Sequence, residues 1–380
     1  MTAAAALLLL VSLWLAIWSY LLYPAWIRRL AARRRPAPPA PEPVGRPRVE
    51  VLVSAADEEG RIGERVRDLL AQSYGGAYRV AIGCDGCSDR TAERAREAAA
   101  GDARVRVVEF ERRRGKASVL NDLMASSAAD LLVFTDADTR FEPGAVEALA
   151  RAMAGEGVGA VCGRLILESP AGGTTPETIF WDRETRMKEA EGRLGVCLGA
   201  NGAIYAAPRT AVAPLPLDCV LDDFLIPARI AYGGKEVAFA GAAVARERLS
   251  DDPAREMARR FRIGAGAGQI LARERWLWSR RRPLAALVFF SRKAARWLAP
   301  VAALLAAVAA AASVPLRAIG LTALGLAAIL AAGARLRVRP SGAAGRLYYF
   351  AVINVALAAG VLAGLVGYRR PAWRPAARLD

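Results

Sequence analysis

Residues 3–26, AAAALLLLVSLWLAIWSYLLYPAW, carry no charged side chain. A run of this length crosses the ~30 Å hydrocarbon core of a bilayer as a helix, which satisfies its own backbone hydrogen bonds there. A cleaved leader carries basic residues before its apolar stretch and a small-residue cleavage site after it. Here the basic cluster follows, as Arg28, Arg29, Arg33, Arg34 and Arg35. By the positive-inside rule the N-terminus lies outside and the next segment lies in the cytoplasm. We therefore read 1–27 as a transmembrane helix and 28–47 as a basic, Pro-rich linker. Its stretch PAPPAPEPVGRP (36–47) is extended and stiff by composition.

Apolar stretches return at about 297–314, 316–334 and 347–367, and 298–368 is expected to hold two or three further spans. Before them, 283–297 mixes apolar residues with Arg292, Lys293 and Arg296, which suits an amphipathic helix in the interface. The loop Arg335–Arg346 and the tail 369–380 are both basic, so both favour the cytoplasmic side. Three crossings cannot satisfy both, which leaves the number of spans open.

Between these ends, 48–282 has the mixed texture of a soluble α/β domain. The net charge of +16 is almost entirely arginine, since the only lysines are Lys116, Lys188, Lys235 and Lys293. Much of it borders the apolar runs, which makes lipid headgroups the simplest partner and the other arginines a solvated surface. No aromatic-interleaved basic surface points to nucleic acid. The chain has no histidine, so carboxylates are left for acid–base work and for hard cations. Cys84 and Cys87 have zinc or thioredoxin spacing, but no second CxxC exists to complete a zinc site, and small residues in a turn are the simpler reading. The domain is then reduced and cytosolic.

Within it, β-rich runs at 47–54, 78–84, 104–110 and 130–135 alternate with helical patterns at 61–72, 88–100, 115–128 and 143–153. This βαβα order predicts a mostly parallel, Rossmann-like sheet with right-handed crossovers, whose ligands bind at the carboxyl ends of the strands. Acids cluster there. The fourth strand ends in Thr135-Asp136-Ala137-Asp138, two carboxylates that a divalent cation could bridge to a diphosphate. The second ends at Asp85, ahead of a Ser88-Asp89 helix cap, and the first at Asp57-Glu58-Glu59. Gly115-Lys116 half resembles a phosphate loop, but GxxxxGK[ST] fails at Phe110 and Ala117. No GxGxxG follows the first strand, which counts against a dinucleotide oxidoreductase.

The ordered set SAADEE, CDGCSD, RRGKASVLND and LLVFTDADT resembles family 2 glycosyltransferases with the GT-A fold, over about residues 46–270. Gly199-Ala200-Asn201-Gly202-Ala203 resembles the loop beneath the acceptor, and Leu221-Asp222-Asp223-Phe224-Leu225 the motif holding the catalytic base. Arg259-Arg260-Phe261-Arg262-Ile263 stands where membrane polysaccharide synthases of the poly-N-acetylglucosamine, hyaluronan and cellulose type carry QxxRW. The resemblance implies an α/β GT-A catalytic domain with flanking transmembrane helices in the bacterial inner membrane. It implies that Asp57, Asp85, Lys116, Asp136, Arg259, Arg260 and Arg262 bind the donor, and that Gly199, Asn201 and Gly202 line the acceptor side. Asp138, with Asp136, would bind Mg²⁺ or Mn²⁺; Asp223 would be the general base and Asp222 its neighbour. Acids at 222 and 223 also suit a helix N-terminus, and the arginine triplet also suits a solvated helix face.

Two positions depart from the family pattern. Asp57 replaces the usual Asn but still offers oxygen acceptors. QxxRW has lost its Gln to Arg259 and its Trp to Ile263, so the platform of processive synthases is missing. The expected activity is inverting transfer from a nucleotide sugar, UDP-linked by resemblance, to a glycan or lipid-linked acceptor. The alternatives are a sugar nucleotidyltransferase, which would want a Gly-rich basic loop where SAADEEGRI stands, and a non-catalytic membrane scaffold.

Overall fold

The structure, a computed structural model, describes residues 2–34, 45–168, 176–248, 252–338 and 342–368. Most of the Pro-rich spacer and the whole basic tail lie outside the described residues. The chain divides into two compact units, one of Met1–Trp26 with Ser250–Arg369 and one of Ile27–Leu249 with Arg370–Asp380.

The second unit is built on a mixed eight-stranded sheet. Its strands are β1 (Val49–Ala55), β2 (Tyr78–Asp85), β3 (Val105–Phe110), β4 (Leu131–Asp136), β5 (Thr139–Phe141), β6 (Val158–Glu168), β7 (Tyr205–Pro208) and β8 (Glu236–Arg248). Their order in the sheet is β3-β2-β1-β4-β7-β6-β8-β5. The first four are parallel. They are joined by helices Ile62–Leu70, Thr91–Ala99 and Lys116–Ala125, which cover the faces of the sheet. Both faces being covered, central strands such as VEVLVSA and LLVFTD are buried along almost their whole length. Val51, Val53, Val80, Ile82 and Val133 lie in the core, with Ile62, Val66 and Leu69 from the first crossover helix.

The register sets the site. Ser54 pairs with Asp136, Ala55 with Cys84, and Asp85 with Phe110. The turns after β1, β2 and β4 therefore emerge side by side at one edge. Beyond β4 the sheet becomes mixed: β7 runs antiparallel to both β4 and β6, β8 parallel to β6, and β5 antiparallel to β8. None of these four later strands was expected from the sequence.

The other unit is helical. Among the described residues, four helical runs are long and apolar enough to cross a membrane: Thr2–Arg33, Pro283–Ala311, Val314–Arg335 and Leu347–Leu365. Residues 283–297, set apart in the sequence reading as an interfacial helix, run without a break into 298–311 through a π-helical turn at Phe289–Ala294. A second π turn, Trp18–Leu22, interrupts the first run, and Trp18 Nε1 donates to Ser291 Oγ at 2.9 Å. Ser12 Oγ donates to the Ala299 carbonyl at 2.8 Å. The helix Pro253–Arg273 packs on Gly342–Leu365 through Gly264, Gly268, Gly360 and Gly364. A Cβ on any of the four would fall within 2.4 Å of the opposing backbone. Segment 252–282, expected as the end of the catalytic domain, thus belongs to the helical unit.

Candidate active site

At the β1 tip Asp57 adopts a left-handed backbone, φ 55°. Asn and Asp are the residues besides glycine that tolerate this region most readily, so Asp here keeps what the usual Asn supplies. Its Oδ1 accepts from the Ser88 N–H at 2.8 Å, and its Oδ2 pairs with Arg113 at 2.6 Å. Partial burial works against this charge, but Arg113 and the Ser88 N–H outweigh it and hold the carboxyl below the usual carboxylate range.

Asp85, at the β2 tip, is buried and holds a loop rather than facing solvent. Its two oxygens accept from the backbone N–H groups of Arg114 and Gly115, each at 2.7 Å. That clamp fixes the turn into the helix Lys116–Ala125 and so places Lys116. Gly86 has φ 55°, and a Cβ there would lie 2.3 Å from the Arg113 nitrogen, so loop and turn touch through backbone.

Lys116 links two acid-bearing elements. Its Nζ lies 2.8 Å from Asp136 and 3.3 Å from Asp222. Burial opposes its charge, but Asp136, Asp222 and the more remote Asp223 outweigh burial and raise its pKa. Asp222 and Asp223 open the helix Asp222–Tyr232, where the dipole favours anions. Asp222 is buried and accepts from Tyr205 Oη at 3.0 Å, and Tyr205 stacks on Phe134 of β4 at 4.6 Å. Asp223 is partly exposed, and its backbone carbonyl accepts from the Ala200 N–H at 3.1 Å. In the same loop Gly199 is buried, and Gly202 lets the chain pass against Asp136: a Cβ there would sit 2.8 Å from Asp136 Oδ2. Asn201 is buried and accepts from Lys188 Nζ.

Asp136 and Asp138 keep 38% and 40% of their side chains exposed, and Asp138 lies 3.9 Å from Arg61. Their hard oxygen donors at an open strand tip, with the Gly202 cradle alongside, fit a divalent cation that keeps other positions for phosphate and water. Asp57, Cys87 and Asp89 also lie within 4.8 Å of one another. Asp57 is engaged with Arg113, however, and Asp89 accepts from the Glu59 and Thr91 N–H groups, so this trio works as a turn brace. The remaining expected donor residues, Arg259, Arg260 and Arg262, lie on helix Pro253–Arg273 of the other unit, with Arg260 paired to Glu256 at 2.6 Å.

The family model for glycosyl transferase family 2 matches residues 50–205. An N-acetylglucosaminyltransferase of Rhizobium leguminosarum bv. trifolii is 32% identical over 123 residues, 32% of this chain and 68% of that protein. The chain belongs to glycosyltransferase family 2. Another N-acetylglucosaminyltransferase, from Mesorhizobium japonicum, is 27% identical over 183 residues; the match takes in 47% of this chain and 43% of that relative. In structure, this family 2 chain resembles the mannosyltransferase PcManGT from Pyrobaculum calidifontis in complex with GDP-Man and Mn²⁺. The TM-score is 0.67 over 94% of this chain and 99% of that one, at 23% identity. The expected α/β GT-A fold with flanking apolar helices is the fold found.

Sequence reasoning passed over Arg113, Tyr205 and Lys188, whose importance lies in the carboxylate or amide each one meets. Arg113 alone carried a signal, as part of the Arg112-Arg113-Arg114 run before Gly115.

Proposed function

We propose that this enzyme carries out inverting transfer of a sugar from a UDP-linked donor to a glycan or lipid-linked acceptor at the bacterial inner membrane. Asp223 takes the proton of an acceptor hydroxyl; that oxygen forms the new bond to the anomeric carbon as the bond to the diphosphate breaks and its electron pair leaves with the phosphate. Asp138, with Asp136, would hold Mg²⁺ or Mn²⁺, which supplies charge neutralisation for the departing diphosphate. Lys116 keeps Asp136 and the Asp222–Asp223 helix end at a fixed separation, so donor and acceptor sides are held in one geometry. Asp57 and Asp85 shape the nucleotide side through Arg113 and the loop 113–115.

The observation that carries the reading is Lys116 Nζ bridging the DxD strand tip and the helix bearing the proposed base, at 2.8 and 3.3 Å. The names of the Rhizobium and Mesorhizobium relatives favour an N-acetylglucosaminyl donor. Membrane spans suit a polymer or lipid-linked acceptor equally.

The test uses a panel of nucleotide sugars and reads metal-dependent release of nucleoside diphosphate by the purified full chain. Asp223→Asn should keep donor affinity and lower turnover by roughly 10²–10⁴-fold, the usual contribution of a general base. Full turnover in that variant removes Asp223 from the mechanism, and no release with any donor removes the activity.

A further inference from the structure

The helix Ile62–Leu70 buries Ile62, Val66 and Leu69 in the core, and Arg65 shares that face. An apolar residue is the ordinary occupant of such a position. Arg65 nevertheless has a side chain only 1% exposed. Its Nη1 donates to the Asp68 carboxylate, its Nη2 donates to Thr135 Oγ1 at 2.6 Å, and its guanidinium lies 4.3 Å from the Phe141 ring centroid. Its Nε has no hydrogen-bond partner among the described residues. Burying a cation with one donor unsatisfied is costly, and a well-packed apolar side chain would serve the core better.

The contacts of that guanidinium lie on either side of the DxD turn. Thr135 immediately precedes Asp136, and its hydroxyl donates in turn to the Ala203 carbonyl at 2.6 Å, one residue past Gly202. Asp68 also accepts from the Phe141 N–H at 3.0 Å, on the far side of Asp138. One buried cation therefore braces the chain before and after Asp136-Ala137-Asp138, and ties it to the loop that cradles Asp136.

We propose that Arg65 is a positioning residue that holds the Asp136–Asp138 turn in the geometry that receives a divalent cation. This rests on the reading of Asp138 as a metal ligand. Partners that orient ligating carboxylates govern metal affinity by about 10–100-fold.

The test is Mn²⁺ binding to the detergent-purified full chain without donor, followed by the electron paramagnetic resonance of unbound Mn²⁺, alongside the thermal midpoint. Arg65→Met and Thr135→Val should each weaken Mn²⁺ binding by about 10–100-fold, while Thr135→Ser, which keeps the hydroxyl, should bind as wild type. Arg65→Met protein that is folded and binds Mn²⁺ like wild type overturns the proposal. If Arg65→Met does not fold, Thr135→Val decides, since it leaves the Arg65–Asp68 pair in place; unchanged Mn²⁺ affinity there overturns it equally. Loss of binding in Asp138→Asn with binding intact in the Arg65 and Thr135 variants refutes the positioning role alone. A wild-type chain that binds no Mn²⁺, or binding that survives Asp138→Asn, overturns the metal reading and this proposal together.

Discussion

Replacing Lys116 by Met removes a cation in contact with both Asp136 and Asp222 and keeps most of the side-chain volume. The Asp222 side chain is only 6% exposed, whereas those of Lys116 and Asp136 are 32% and 38% exposed. Water can screen Asp136 after the substitution but reaches Asp222 poorly. Breaking a fully buried pair costs about 3–5 kcal/mol, and with one partner partly solvated the lower end applies, about 3 kcal/mol. For a unit of this size that is about 6–12 °C in thermal midpoint. The pH dependence carries a sign. The folded pKa of Lys116 is raised, so its contribution is complete below the ordinary lysine value of about 10.4 and is lost only as pH climbs through the higher folded value. The wild type thus gains or loses nothing from Lys116 between pH 5 and 8. Lys116→Arg should recover most of the stability that Lys116→Met loses. The assay is tryptophan-monitored thermal unfolding of the purified chain in detergent at both pH values. A Lys116→Met midpoint within about 2 °C of wild type at pH 8 would show that the lysine does not compensate buried charge.

Gly86→Ala places a Cβ 2.3 Å from the Arg113 nitrogen at a φ of 55°, and should lower stability by about 1–3 kcal/mol; an unchanged midpoint refutes the backbone contact. Gly268→Val drives a side chain into the Val361 carbonyl, 2.3 Å from the new Cβ, and should lower the fraction recovered monodisperse in detergent, with Gly268→Ala between it and wild type. Cys87 accepts a hydrogen bond from the Cys84 thiol and one from the Asp57 N–H, which together outweigh burial and bring its pKa down to about 7. Its alkylation rate should rise with pH to half-maximum near that value, whereas Cys84, raised by the same hydrogen bond and by burial, should stay unreactive. Equal labelling of both, or no pH dependence, contradicts the arrangement.

The parallel half of the sheet was legible because each strand is an apolar run closed by a turn and followed by a helical pattern, and its edges fell within two residues of those observed. The mixed half was not. β8, EVAFAGAAVARER, is rich in Ala and Gly and takes its extended form from pairing with β6 and β5, residues far away in sequence. The positions of the acids were readable, but what each one does was not. Asp85 and Asp222 look like ligand acids in the sequence, yet one is closed by N–H groups some thirty residues on and the other by Tyr205. Arg65 was lost among many arginines, because only burial separates it from a solvated one. Helix 253–273 read as part of the catalytic domain because its glycines mean little until Gly360 and Gly364 stand opposite them.

The electrostatics of the strand tips bear on the metal independently of any relative. Asp136, Asp138, Asp222 and Asp223 gather four carboxylates at one end of the sheet, against which the ion pairs described above set Lys116 and the more distant Arg61. Asp57 and Arg113 cancel one another at 2.6 Å. A diphosphate donor brings further negative charge to these carboxylates, and like charges within a few ångströms repel by several kcal/mol in a partly desolvated site. A divalent cation resolves that conflict in one step, and it must do so through acids that water can still reach. Asp85 and Asp222, buried with their oxygens committed to donors, meet the requirement that buried charges be paired and have little left to offer a ligand. Asp138 and Asp223 retain exposure. The division of work proposed here, metal on one and proton on the other, is the one in which no buried carboxylate has to give up its partners.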